Sequence, residues 1–330
     1  MAATYSLSHL KALQLKYLAF LTGSASTGTK AALQHALSRS LEVDASRTSR
    51  RVVSVDMGIR NLAYCVVDAK QPPETGDPSR ALTVSTWTRR DLLSPAAPEI
   101  SPLQELSDHR KQKQDSTGRQ KIDTEAFTPP QLAKTAHTLV KSLLSHKPDN
   151  ILIERQRFRS GGAAAIQEWT VRVNMLESML WASLETLKAS DLSPAEFPER
   201  LAIAPKRVAE FWLSGQRPVL TSWKDIFESD ASSHTTQRPA RAKIEKKDKV
   251  SLVQKWVVGA LNENGVNLRF EGQAAEIAEA FGEQNKRGAK KIAGGKLDDL
   301  ADCFLQALTY LQWEENKTLL RKILRLKLAS

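Results

Sequence analysis

Apolar residues recur along this chain first at helical spacing and then at strand spacing. Leu7, Leu10, Leu13, Leu15, Leu18 and Leu21 fall on one face of a helix that Thr22-Gly23 would stop. Ser24 to Lys30 reads as a loop, and Ala31 to Leu41 as a second helix with Leu33, Leu37 and Leu41 on one side. Two short helices joined by a Gly-containing loop make a helical hairpin. The rhythm then changes. Val52, Val53 and Val55 predict a buried strand interrupted by Asp56, Gly58 falls at a turn, and Tyr64 to Val67 predicts a second strand. A third strand is expected over Ala81 to Trp87, beyond the Pro- and Gly-containing stretch 68–80. Pro129-Pro130 opens a helix, Gln131 to His146, with Leu132, Ala136, Leu139 and Leu143 on one face. Ile151-Leu152-Ile153 reads as a fully buried strand with Glu154 at its carboxyl end. A long amphipathic helix over Ala163 to Lys188, a short strand at Leu201 to Ile203 and a basic helix over Arg241 to Gly259 follow. The acidic stretch 271–283 and the Gly/Lys-rich stretch 284–296 read as a variable loop. A helix start follows Gly294-Gly295, and Asn316 to Leu328 forms a basic amphipathic tail helix.

Composition narrows the function classes. The chain has 330 residues, enough for one large domain or two smaller ones. Two cysteines, Cys65 and Cys303, exclude a disulfide framework and a cysteine-based zinc site. No run of 18 apolar residues exists, so no membrane-spanning segment is expected. Lys and Arg number 48 against 37 Asp and Glu, a net +11 that points to a polyanionic partner, nucleic acid before acidic membrane. The first acidic residue is Glu42, preceded by Lys11, Lys16, Lys30 and Arg39 among many Ser, Thr and Ala. That composition suits a mitochondrial transit segment, although such segments carry more Arg. Residues 42–51 read as a linker.

The candidate chemistry lies in three acidic positions. Asp56 interrupts the first strand, and a carboxylate there is costly to bury without a partner. Glu154 ends a strand, where an α/β sheet puts its ligands. Asp298, Asp299 and Asp302 open a late helix and share one face. Three carboxylates within one turn repel one another unless a cation sits among them, whereas N-capping needs only one. Oxygen ligands with no His or Cys nearby suit Mg²⁺ or Mn²⁺. Two such ions about 4 Å apart can clamp the attacking water and the leaving oxygen of a phosphodiester. Arg60, Arg155, Arg157, Arg159, Lys206 and Arg207 all follow the carboxyl ends of predicted strands and are candidate phosphate contacts.

Two resemblances sharpen this picture. Leu10-Lys11-Ala12-Leu13-Gln14-Leu15 through Gly28-Thr29-Lys30-Ala31-Ala32-Leu33 resembles the SAP module, which binds DNA through a helix–loop–helix of this size. The match implies a DNA contact at Lys30. Val55-Asp56-Met57-Gly58-Ile59-Arg60-Asn61-Leu62-Ala63-Tyr64, Ile153-Glu154-Arg155-Gln156 and Asp298-Asp299-Leu300-Ala301-Asp302 resemble the fungal mitochondrial Holliday-junction resolvases, relatives of bacterial RuvC. This resemblance implies an α/β fold: an RNase H-like mixed sheet flanked by helices, with a small N-terminal SAP-like hairpin. It also implies a 1–45 segment ahead of a 46–330 catalytic domain, and metal held by Asp56, Glu154 and the late acids. In RuvC the late acids are two residues apart, as Asp299 and Asp302 are, so Asp298 is extra. The implied protein is a mitochondrial homodimer that makes paired, symmetric nicks in four-way junctions. An RNase H-type nuclease acting on RNA–DNA hybrids and a non-catalytic junction-binding protein are the alternatives.

Overall fold

The computed structural model describes residues 7–42, 49–70, 80–93, 124–156, 167–190, 197–215, 218–220, 226, 244–259, 266–283 and 297–328. The backbone groups into two compact units, one of residues 49–205 and 250–307, the other of 1–48, 206–249 and 308–330.

The first unit is built on a sheet. Its strands are β1 (Ser49–Asp56), β2 (Leu62–Lys70), β3 (Arg80–Arg90), β4 (Asn150–Glu154), β5 (Glu199–Ile203) and β6 (Val266–Phe270). Among the described residues they form one six-stranded sheet in the order β5-β4-β1-β2-β3-β6. The first three make an antiparallel meander; β4 is parallel to β1, β5 to β4 and β6 to β3. This is the RNase H-like mixed sheet that the resemblance implies.

Alternation of side chains assigns the two faces. Val53, Val55, Tyr64, Val66, Ile151 and Ile153 share one core with Leu139 and Leu143 of helix Pro129–Ser145 and with Val173, Leu176, Leu180 and Leu184 of helix Glu168–Ser190. On the opposite face Ser54, Cys65 and Trp87 form one row. Trp87 stacks on Phe270, Phe281 and Phe304 at centroid distances of 5.9, 5.2 and 4.9 Å, and its indole N–H donates to the Leu300 carbonyl at 3.0 Å. Each such aromatic pair is worth about 0.5–1.5 kcal/mol beyond area burial. These contacts fix the start of the long helix Asp298–Leu328 against the sheet.

The second unit is helical. Helices Ala12–Thr22 and Lys30–Glu42 form the expected hairpin. Leu15, Leu18, Leu21, Leu33, Leu37 and Leu41 are buried together with Leu220, Ile226, Leu320 and Leu324, whereas Leu13, expected on the same face, is exposed. Asn316 ties two segments to the long helix: its amide donates to the carbonyls of Leu21 (2.8 Å) and Pro218 (2.9 Å), and its oxygen accepts from the Leu220 N–H (3.1 Å). Gly23 ends the first helix at φ 68°, where a Cβ would lie 2.4 Å from the Trp313 ring.

In chain order the helices are α1 (Ala12–Thr22), α2 (Lys30–Glu42), α3 (Pro129–Ser145), α4 (Glu168–Ser190), α5 (Pro205–Leu213), α6 (Lys246–Val257), α7 (Gln273–Gly282) and α8 (Asp298–Leu328). Three features differ from the sequence reading. The stretch 271–283, read as a loop, contains α7, whose Ala274, Ile277, Ala278 and Phe281 are buried at i, i+3, i+4 and i+7; Glu276 and Glu279 made it look like a polar connection. Strand β6 lay unrecognised, although Val266, Leu268 and Phe270 alternate with Asn267 and Arg269. The separate tail helix is instead the continuation of α8, unbroken from Asp298 to Leu328.

Candidate active site

Strand pairing brings the first two acids together. Val55 pairs with Ile153 in parallel register, so the next residues, Asp56 and Glu154, stand side by side on the same face. That face carries Ser54, two residues before Asp56. Above it runs α8, anchored by Gln306, whose amide donates to Ser54 Oγ (3.0 Å), to the Val55 carbonyl (3.2 Å) and, at longer range, to the Leu152 carbonyl (3.4 Å). Asp302 lies one helical turn before Gln306 and Asp299 two turns before it, so both fall on the stripe that faces Asp56.

Electrostatics report the same convergence. Asp56 is only 8% exposed. Its carboxyl is pushed well above the usual carboxylate range, first by burial, then by a hydrogen bond with Glu154 and that group's charge, then by the charges of Asp302 and Asp299. Asp298 is not among these groups; it occupies the first helical position, half-buried. Among the described residues no three acidic, His or Cys side chains close on one point as a finished metal cage. The donor set still fits a hard divalent cation, because every acid in it offers oxygen and a cation relieves the repulsion that raises Asp56.

Glu154 is held from its own strand end. Gln156 Nε2 donates to Glu154 Oε2 at 3.0 Å, and the Gln156 backbone N–H donates to Glu177 Oε2 on α4 at 3.3 Å. The Glu177 carboxyl is raised by burial and by the charge of Glu154, against hydrogen bonds from Gln156 and Trp181 and the charge of Arg155 that pull it down. Gly58, in the turn after Asp56, faces chain rather than open space: a Cβ there would lie 2.9 Å from the backbone of Asn61.

The basic candidates divide between the units. Arg60 and Arg155 are exposed at the carboxyl ends of β1 and β4, with Arg60 3.7 Å from Asp91. Arg157 and Arg159 lie outside the described residues. Lys30, Lys206 and Arg207 belong to the helical unit. There Lys30 donates to the Ser8 carbonyl at 3.0 Å, Lys206 lies 3.5 Å from Glu210, and Arg207 donates to the Ser24 carbonyl and covers the Trp313 ring at 5.3 Å.

Three residues escaped the sequence reading. Arg89 lies in the row of Asp56, across Ala63. Glu177 and Gln306 are polar positions within largely apolar helical stretches, and a polar residue on a buried stripe was the available signal.

The family model for the catalytic domain of "Mitochondrial resolvase Ydc2 / RNA splicing MRS1" matches residues 52–320. The chain belongs to this family. The matched span of the Ydc2/MRS1 family opens in β1 and closes in α8, and so contains every acid described above. Two curated proteins named "Cruciform cutting endonuclease 1, mitochondrial" are similar to it. The Schizosaccharomyces pombe protein is 27% identical over 91% of this chain and 91% of its own length. The Saccharomyces cerevisiae protein is 22% identical over 96% and 86%. Among solved structures, the crystal structure of the yeast mitochondrial Holliday junction resolvase Ydc2 matches with a TM-score of 0.57 and 25% identity, over 96% of this chain and 98% of that one.

Proposed function

We propose that this protein is a mitochondrial endonuclease that resolves four-way DNA junctions by metal-dependent phosphodiester hydrolysis. The observation that carries the reading is the placing of Asp56 and Glu154 side by side at the carboxyl ends of the interior strands β1 and β4, with Asp299 and Asp302 on the helix that Gln306 pins above them, in a chain of the Ydc2/MRS1 family. The family description also names RNA splicing, and the convergent carboxylates favour the cutting branch, because RNA binding alone would not need them.

Asp56, Glu154, Asp299 and Asp302 would hold Mg²⁺ or Mn²⁺, with Asp298 outside the set. When bound, the cation supplies Lewis-acid polarisation of the phosphate and a water of lowered pKa. The chain does the rest. β1 and β4 hold two carboxylates at fixed spacing, and Gln306 locks the helix that brings the other two. Asp56 and Glu154 would both face the cation, whose charge would offset the burial and the neighbouring carboxylates that push the Asp56 carboxyl up. Arg60 and Arg155 flank the acids and receive the phosphates on either side of the cut strand. In a homodimer two such sites would make paired nicks across the junction, and the hairpin of residues 1–45 would add DNA contacts.

Cleavage of a labelled four-way junction in Mg²⁺, beside an RNA–DNA hybrid and a linear duplex, tests the reading. Asp56→Asn should abolish cutting and keep junction binding, since phosphate contacts dominate affinity. Full activity in excess EDTA, or preference for the hybrid, would overturn it.

A further inference from the structure

Glu154 is the last residue of β4, as Asp56 is of β1. A carboxylate in that place needs something to aim it. Arg155 is tied into the ladder by its N–H, which donates to the Ile203 carbonyl at 2.8 Å. Gln156 goes further. Its side-chain amide reaches back to Glu154 Oε2 at 3.0 Å, while its backbone N–H reaches across to Glu177 Oε2 on α4 at 3.3 Å. Glu177 is in turn held by the Trp181 indole, one turn along the same helix. The helix itself is fixed under the sheet by Val173, Leu176, Leu180 and Leu184. A continuous chain of contacts therefore runs from the packed helix through Glu177 and Gln156 to the Glu154 carboxylate.

We propose that Gln156 and Glu177 form a brace that sets the orientation of Glu154 toward Asp56, Gln156 acting through its side chain and Glu177 through the Gln156 main chain. Both are positioning residues. Outer-shell partners of this kind typically change metal affinity or activity 10–100-fold when removed. The brace rests on Glu154 being a metal-holding acid, as proposed above. Glu177 is a different matter from the ligands: its Oε2 accepts a backbone N–H, a task that an amide oxygen performs as well as a carboxylate oxygen.

That distinction sets the experiment. Gln156→Met keeps the bulk and the backbone N–H but removes the amide; Glu177→Gln keeps an acceptor oxygen; Glu177→Ala removes it. Two measurements are made on the full chain: Mn²⁺ affinity without DNA, from the free-ion electron paramagnetic resonance signal, and steady-state cleavage of a four-way junction, which gives kcat and KM. Circular dichroism and thermal melting establish that each variant is folded. Gln156→Met and Glu177→Ala should weaken Mn²⁺ binding and lower kcat by about tenfold or more, with KM unchanged. Glu177→Gln should recover most of both. Wild-type Mn²⁺ affinity and kcat in Gln156→Met would overturn the brace. So would Glu177→Gln falling as far as Glu177→Ala, which would make the Glu177 carboxylate a ligand in its own right. A wild-type protein that binds Mn²⁺ but cuts no junction would overturn the proposed function, while the DNA-free measurement still reads the brace.

Discussion

Asp299 and Asp302 are the late acids named among the largest influences on Asp56, and they lie two turns and one turn before Gln306 on α8. Isosteric replacement separates them from Asp298. Asp299→Asn and Asp302→Asn should each lower junction cutting by more than the 10–100-fold typical of an outer-shell partner, while Asp298→Asn should keep most of the activity; single-turnover cleavage rates read the difference. A second residue-scale effect concerns Glu177, whose carboxyl is raised in the folded protein mainly by burial. Between an ordinary glutamate pKa of about 4.3 and the raised value, the folded state binds more protons than the unfolded one, so stability falls as pH rises through that window. Glu177→Gln removes this penalty and still offers an oxygen to the Gln156 N–H. The variant should therefore melt higher than wild type at pH 7 in the absence of divalent metal, and the advantage should vanish below about pH 4. An advantage that persists at low pH would assign the gain to packing instead.

Elements decide how well those residues stay in place. Gly23 closes α1 with φ 68°, and a methyl group there would lie 2.4 Å from the Trp313 ring, which also packs on Phe211. Gly23→Ala combines a left-handed backbone with an overpacked contact and should cost about 2 kcal/mol or more, read as a lowered urea midpoint at unchanged slope. The hairpin that Gly23 closes was legible from its leucine spacing, and so were β1 to β5, because their apolar runs are short and bounded by turn residues. The places where reading failed share a physical cause. In α7 Glu276 and Glu279 hid a buried stripe of Ala and Phe, and in β6 Arg269 and Asn267 diluted an alternating strand. The acids of the site were legible by type and order. Gln306 and Glu177 were not, because their roles come from partners removed in sequence: Gln306 meets Ser54 at a separation of 252 residues and Glu177 meets Gln156 at 21.

At the scale of the whole molecule, charge and chain order make opposite demands. The chain carries 48 basic and 37 acidic residues, yet the proposed centre gathers carboxylates at one point, so a polyanion must be drawn in by the surroundings of the centre. Arg60 and Arg155 are the described cations at the carboxyl ends of the two acid-bearing strands, both exposed. If each meets one phosphate, Arg60→Ala and Arg155→Ala should each reduce the slope of log affinity against log salt by about 0.9. By contrast, Lys30 and Arg207 already donate to backbone carbonyls, and Arg207→Ala should lower thermal stability more than it lowers the salt slope. The hairpin poses the related question of whether it is a detachable module. Its buried leucines share a core with Leu220, Ile226, Leu320 and Leu324, and its second helix receives the Arg321 guanidinium at the Leu41 carbonyl (2.8 Å). Deleting residues 1–45 would uncover that apolar surface, where a tethered bead would leave none. The truncated chain should therefore melt lower and aggregate, and a lost DNA affinity measured on it would mix folding with binding. Substituting exposed Lys11 and Lys16 with Gln in the full chain avoids this. An unchanged melting temperature with a reduced salt slope would assign the hairpin a direct DNA contact, and an unchanged slope would leave it a structural part of its own unit.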